Sequence, residues 1–217
     1  MKQKFLLILI VTFSVKSQTV RPLIGAGYNR HSEFSNSSYY NLKTGLELNF
    51  KKYLKPEFEL NYFFGGFENQ TDYDSQGNII DVFSRKIAVL NVGFSPKIML
   101  FKDEDEFCYF QFLPKYNFSK IEALGDYLLI NQNDATKSIR EKETIKGTKQ
   151  SLGLGVGIIF NLSKTKKSDS IALNLFYQNI DAGSLMTKLN HNKVEINTKD
   201  VFSFEVVYYF NLAKAKN

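Results

Sequence analysis

The segment Arg30-His31-Ser32-Glu33-Phe34 sets an imidazole, a hydroxyl and a carboxyl side by side. Those side chains build a hydrolase or acyl-transfer centre when the imidazole lies within hydrogen-bond reach of the hydroxyl and takes its proton. Consecutive strand residues point to opposite faces, so His31 and Ser32 are badly placed for each other. The segment therefore reads as a solvated loop. His191 lies in another loop and has still weaker claims. Two histidines and the single Cys108 fall short of a metal-binding set, so neither a metal nor another cofactor is expected. Cys108 has no disulfide partner in the chain and reads as a small apolar residue.

A second set of reactive types is spread along the chain: Lys43, Glu47, Glu57, Glu59, Lys97, Lys115 and Glu205, with the amides Asn61 and Gln111. All of them fall in segments with a two-residue period. In NLKTGLELNFK, Leu42, Thr44, Leu46, Leu48 and Phe50 alternate with Asn41, Lys43, Gly45, Glu47 and Asn49, the mark of a strand with one apolar and one polar face. The pattern recurs in FELNYFFGG, KIAVLNVGFSPKI, FCYFQFLPKYNFSK, SLGLGVGIIFNL, IALNLFYQN and VFSFEVVYYFNL, and more weakly in PLIGAGYNR. Eight strands are predicted.

The connections alternate in length. Long links are expected at about 32–38, 68–84, 122–148 and 181–200. Short ones are expected near Tyr53, at Lys102–Glu106 and at Ser163–Asp169. In an up-and-down meander, such alternation gathers every long link at one end. That is the layout of a transmembrane barrel with long outer loops and short periplasmic turns.

Composition indicates which face looks inward. The polar faces carry Gly25, Gly27, Gly45, Gly65, Gly93, Gly153, Gly155 and Gly157. Glycine weakens a water-facing strand but fits the concave side of a narrow barrel, where eight strands leave room only for side chains. The apolar faces carry large residues and no charge. A Lys or Arg at mid-bilayer on a lipid-facing strand costs about 2–4 kcal/mol. The apolar faces are thus expected to meet lipid, with aromatics near the strand ends forming interfacial girdles. The nine polar residues are expected inside. Ion pairing there is favoured over conduction or transport, because eight strands enclose no aqueous channel.

The start MKQKFLLILIVTFSVKSQ reads as a secretory signal, with Lys2 and Lys4 ahead of an apolar run too short to span a bilayer. Cleavage is expected after Ser17, leaving 18–217 as one barrel domain. The 28 basic residues then fall to 25 against 22 acidic ones, a net charge of +3. With no basic stripe, nucleic acid is not an expected partner. The segment SIREKETIKGTK, with charges of both signs, reads as a solvated surface loop rather than a binding patch; the alternative is contact of Arg140, Lys142, Lys146 and Lys149 with lipopolysaccharide phosphates. The NSS and NQT triplets at Asn36 and Asn69 match a glycosylation pattern but carry little weight here.

With its strand pattern, its VKSQ leader end and its final VVYYFNL, the chain resembles the small outer-membrane β-barrel proteins of the Bacteroidetes, the PorT-like group among them. The resemblance covers about residues 20–212. It implies insertion by the outer-membrane assembly machinery, which reads a last strand of alternating aromatics; Val206, Tyr208 and Phe210 match that signal. The tail NLAKAKN after Phe210 departs from it. The resemblance also implies outer-membrane lipid and lipopolysaccharide as surroundings. The expected role is non-enzymatic: structural, adhesive, or accessory to secretion or envelope assembly, with partner proteins to match. Two alternatives stand beside it, a lipid A-modifying enzyme and a secreted lipocalin-like carrier with its faces reversed.

Overall fold

The computed structural model describes residues 20–34, 36–102, 107–163, 168–195 and 199–211. The leader 1–17 and the tail beyond Asn211 lie outside the described residues. Nine antiparallel strands follow one another: β1 (Val20–His31), β2 (Ser38–Leu48), β3 (Glu57–Tyr73), β4 (Ile79–Ser95), β5 (Ile98–Lys102), β6 (Cys108–Leu129), β7 (Ile139–Asn161), β8 (Ser170–Asn179) and β9 (Asp200–Tyr209). Among the described residues, a short α-helix, α1 (Gly183–Met186), lies between β8 and β9, and a single 3-10 turn (Ala135–Lys137) lies between β6 and β7.

Each strand except β5 pairs with a neighbour on both sides. β1 closes on β9, and β4 pairs with β6, so eight strands form a continuous ring without a free end strand. β5 continues β4. Phe94 faces Tyr116 and Ile98 faces Phe112 in one uninterrupted register along β6. The break falls at Pro96, which lacks an N–H for the ladder, and at Lys97, whose φ of +24° takes the chain out of the extended region.

Burial follows the two-residue period. Leu46, Leu154 and Phe204 are 46%, 54% and 45% exposed on the outer wall, whereas Glu47 is 0% exposed inside. The ring therefore turns its hydrocarbon outward and its charges inward. This overturns the lipocalin-like alternative, which needs the reverse. Along the ring, no charged residue interrupts the outward belt between Tyr28, Tyr40, Phe64, Leu90, Phe118, Leu152, Tyr177 and Phe202 at one end and the opposite strand ends.

The two ends differ. Residues 68–84 and 122–148, read from sequence as loops, are mostly hairpin: β3 and β4 run on to a turn at 74–78, and β6 and β7 to one at 130–138. SIREKETIKGTK is thus strand for most of its length, not loop. Its charges alternate, with Arg140 and Lys142 pointing out and Glu141 and Glu143 pointing in. A solvated strand carries no apolar face, so periodicity alone hides it.

The interior is layered. At the raised end, Phe34, Tyr39, Phe63, Phe67, Phe83 and Ile87 form an apolar core with Val89 and Ile121. The β8–β9 connection folds back into this mouth and seats Ile180, Leu185, Met186 and Leu189 in it. A smaller cluster of Leu23, Met99, Ile159, Ala172, Val207 and Tyr209 lies at the other end. Polar residues fill the space between.

Candidate functional site

The lumen is the candidate site, and its chemistry is ionic. Glu47 on β2 sits between two cations, with Arg21 Nη1 at 3.2 Å and Lys97 Nζ at 2.5 Å. Lys97 also lies 3.5 Å from Glu57 and over the Tyr209 ring, 3.9 Å from its centroid. Tyr209 donates its hydroxyl to Glu57 at 3.1 Å. The chain continues through Lys43, which reaches Glu57 at 3.9 Å, Glu59 at 3.3 Å and Glu205 at 2.8 Å. It ends at Lys115, 2.7 Å from Glu59. Four cations and four carboxylates thus form one neutral, buried network among the described residues, drawn from five strands and the Pro96–Lys97 break.

Glycine makes this crowding possible. A Cβ on Gly25 would meet Lys43 at 3.1 Å, and one on Gly93 would meet the Glu59 carboxylate at 2.9 Å. Phe176 occupies the space left over Gly155, where a Cβ would lie 2.3 Å from the ring. Its face receives Lys115 Nζ 4.0 Å from the centroid and Lys43 Nζ at 5.6 Å, a placement that suits the negative face of an aromatic ring. The interior is filled rather than open, as expected for eight strands.

Of the nine polar residues singled out from sequence, all are buried in the lumen. Lys43, Glu47, Glu57, Glu59, Lys97, Lys115 and Glu205 join the ion network. Asn61 accepts from Asn41 at 3.0 Å, and Gln111 donates to Asn174 at 2.6 Å, beside the network rather than in it. Arg21 escaped the sequence reading because the first strand was begun at Pro22. The strand starts at Val20, and Arg21 shares the inner face with Leu23. Phe176 escaped because a large aromatic looks like a lipid-facing residue, and only its parity within the strand places it inside; Tyr209 falls on the polar face by parity, but its bond to Glu57 depends on register across distant strands.

Lys55, in the β2–β3 connection, is half-buried below the network. Burial pushes its ammonium below the usual lysine value; Glu47 opposes this, while Lys97 and Arg21 add to it. Among the last-strand residues, Val206 and Tyr208 point outward, and Phe210 lies one residue past β9 with its ring 4.7 Å from that of Tyr208.

In the His31-Ser32-Glu33 segment the imidazole and hydroxyl side chains fall in different surroundings, His31 buried and Ser32 exposed. His31 is fully buried at the end of β1, and its ring packs edge-on to Phe34 and Phe67 at 5.2 and 5.7 Å. Its Nδ1 accepts the Glu33 N–H at 3.2 Å. His191 stacks on Tyr127 at 3.7 Å and reaches Glu141 at 2.9 Å, fastening the β8–β9 connection to the raised hairpin. No group of metal-ligating residues occurs among the described residues, and no described helix is long and apolar enough to cross a membrane.

No protein-family profile matches the chain. No curated protein matches it either. Among solved structures it is similar to Ail, the attachment invasion locus protein of Yersinia pestis, with a TM-score of 0.41 and 13% identity over 89% of this chain and 97% of that one. It is also similar to Neisserial surface protein A (0.44, 9%, 90% and 97%) and to a major outer membrane protein of Thermus thermophilus (0.46, 15%, 88% and 99%).

Proposed function

We propose that the chain is an integral outer-membrane β-barrel protein without enzymatic activity, serving a structural, adhesive or envelope-accessory role through its raised end. One observation carries this reading: an uncharged apolar belt circles all eight strands on the outside, while the ion network is enclosed. In water such a belt is an aggregation hazard; in a bilayer it is the required surface. Shallow outer grooves of about 560 Å3 beside Pro114, Leu152 and Tyr177 and about 450 Å3 beside Leu100, Val156 and Phe204 suit acyl chains.

Above the belt, the β4–β6–β7 wall turns Lys86, Lys120, Lys142, Lys146 and Arg140 outward, offset by Glu122 and Asp126, which pair with Lys146 at 3.2 Å and Arg140 at 2.5 Å. The surplus positive charge lies at headgroup level, where the phosphates of lipopolysaccharide complement it. Lys149, named with this group from sequence, turns inward and pairs with Asp181 at 2.9 Å instead. Signal cleavage after Ser17, recognition of Val206, Tyr208 and Phe210 by the outer-membrane assembly machinery, and kinship with the PorT-like barrels of the Bacteroidetes belong to the same reading. They rest on the leader and on the VVYYFNL ending. The raised hairpins offer the surface for any envelope or secretion partner.

Membrane fractionation with gel mobility before and after boiling tests the reading. A closed lipid barrel is expected in the outer-membrane fraction and migrates faster unboiled. Recovery in the soluble periplasm with one mobility would overturn it. The enzymatic alternative is tested by His31→Ala followed by lipid A composition: the aromatic packing of His31 predicts no change.

A further inference from the structure

Above the belt the ring is incomplete. β7 pairs with β6 almost throughout, but β8 joins it only from Gly153 onward. β3 likewise runs on past β2, whose pairing stops at Gly66. The raised wall is therefore a four-stranded sheet, β3–β4–β6–β7, with an edge on either side. Unpaired edges are templates for a further strand, and natural sheets blunt them. The β3 edge is blunted by a bulge between Phe67 and Gln70, and by Arg85, whose Nη2 and Nε donate to the Glu68 carbonyl at 2.8 and 3.3 Å. The β7 edge has no such device. Its register with β6 runs unbroken from Ile139 to Phe160. Over 139–152, no backbone hydrogen bond joins it to a described residue on the side away from β6.

The β8–β9 connection leaves this edge open. It meets β7 on the inner face, with Leu185 over Gly147, the Asn190 N–H donating to Glu143 at 2.9 Å, and Asp181 pairing with Lys149 at 2.9 Å. The outward positions of the same stretch are Arg140, Lys142, Thr144, Lys146, Thr148 and Gln150, all exposed and none acidic. β6 shows what kind of strand satisfies them. Asp126 stands directly opposite Lys142 and Glu122 opposite Lys146. Glu122 reaches Lys146 at 3.2 Å, and Asp126 holds Arg140 through two bonds of 2.8 and 2.5 Å. Three cations of β7 thus share two carboxylates.

We infer that the β7 edge over 140–150 docks an extended segment of a partner protein, which joins the raised sheet as a further strand with acidic side chains at alternate positions. In strand addition the backbone ladder supplies affinity and the alternate side chains supply specificity. The charge pattern selects the occupant. Acids facing Lys142 and Lys146 from the open side repeat what β6 provides from the other, and opposite charges directly across a strand pair are favourable whereas like charges are not. A second copy of this chain brings an edge with three outward cations and no outward acid, so it is a poor match. An apolar strand would have to bury those cations, so the same charges guard the edge against indiscriminate pairing. The inference gives the partner chemistry for the proposed adhesive or accessory role, and it rests on that reading of the raised end.

Solvent exchange of backbone amides in the isotope-labelled, nanodisc-embedded chain tests it. The probe is a peptide of alternating threonine and glutamate, as long as the 140–150 stretch. Saturating peptide is expected to slow exchange at alternate amides within 140–150 by about tenfold or more. Lys142→Glu combined with Lys146→Glu, which changes exposed side chains only, is expected to abolish the slowing. A control peptide with proline at every third position keeps the charge but cannot extend a ladder, and is expected to slow none of these amides. Unchanged exchange in the wild-type chain would overturn the inference, and so would equal slowing by the proline control, which charge attraction alone would produce. Slowing that grows with protein concentration in the absence of peptide would assign the edge to a second copy and overturn it too. A chain that fails to embed in the nanodisc overturns the outer-membrane reading, whereas an embedded chain with an unprotected edge overturns this inference alone.

Discussion

Lys97 Nζ lies 2.5 Å from Glu47 Oε2, and the residue that delivers it, at φ +24°, is also the one that breaks the strand between β4 and β5. The interruption and the ion pair are one device. Lys97 is drawn to Glu47, Glu57 and the Tyr209 ring, while its carbonyl accepts the Lys55 N–H at 3.0 Å and thereby anchors the β2–β3 connection.

Glu47→Ala would leave Arg21 and Lys97 buried without their shared carboxylate. Removing one partner of a buried pair costs about 3–5 kcal/mol. Urea unfolding in detergent should show that loss, while the double variant Glu47→Leu with Lys97→Met should recover much of it. Equal losses in the two would refute a stabilising role for the network as a charge-balanced unit.

Gly155→Val would drive a side chain into the Phe176 ring, which stands 2.3 Å from the Cβ position. Overpacking of this kind costs about 1–3 kcal/mol. Pairing it with Phe176→Ala relieves the clash, so a double-mutant cycle should return a coupling of opposite sign to the single losses. Additive effects would mean that the two residues do not meet.

Leu154→Arg puts a charge at mid-belt on the outer wall and should destabilise the barrel in lipid by about 2–4 kcal/mol. Thr144→Arg, on the same face of β7 above the belt, should change stability by far less. The contrast is read from unfolding midpoints in the same bilayer, and equal effects would place the belt elsewhere.

Leu185→Ala removes a side chain that packs over Gly147 inside the raised mouth. Core truncations of leucine cost about 2–5 kcal/mol. Here the loss should fall on the β8–β9 connection first, seen as faster protease cleavage within 183–195 while the ring remains heat-resistant. Unchanged cleavage would show that the connection is not held by its apolar seat.

Asp169, in the β7–β8 connection, accepts the Tyr208 hydroxyl at 2.6 Å and the Asn211 N–H at 2.7 Å. These bonds, the Tyr208 bond foremost, hold its carboxyl below the usual aspartate value. A depressed folded-state pKa stabilises above the unfolded value of about 3.9 and loses that contribution as pH falls through the folded value. Acid titration should therefore loosen the end of β9 below about pH 4, and Asp169→Asn should abolish that step. A carboxyl titration midpoint at or above the unfolded value would contradict it.

The sequence by itself determined the alternating wall of eight strands and the direction of its faces, because a two-residue period is local and because charges, glycines and bulky hydrocarbons segregate by parity. Lys43, Glu59, Lys115 and Glu205 could be placed inside from parity alone. Only the tertiary structure decided which of them pair, since that depends on register across strands far apart in the chain. Lys43 and Glu205 are separated by 162 positions. It also decided that 122–148 is mostly hairpin and that the β8–β9 connection fills the mouth. A solvated strand shows no apolar period, and a plug declares itself only against the wall it packs on. Parity is written into neighbouring residues; partnership is set by the closed ring.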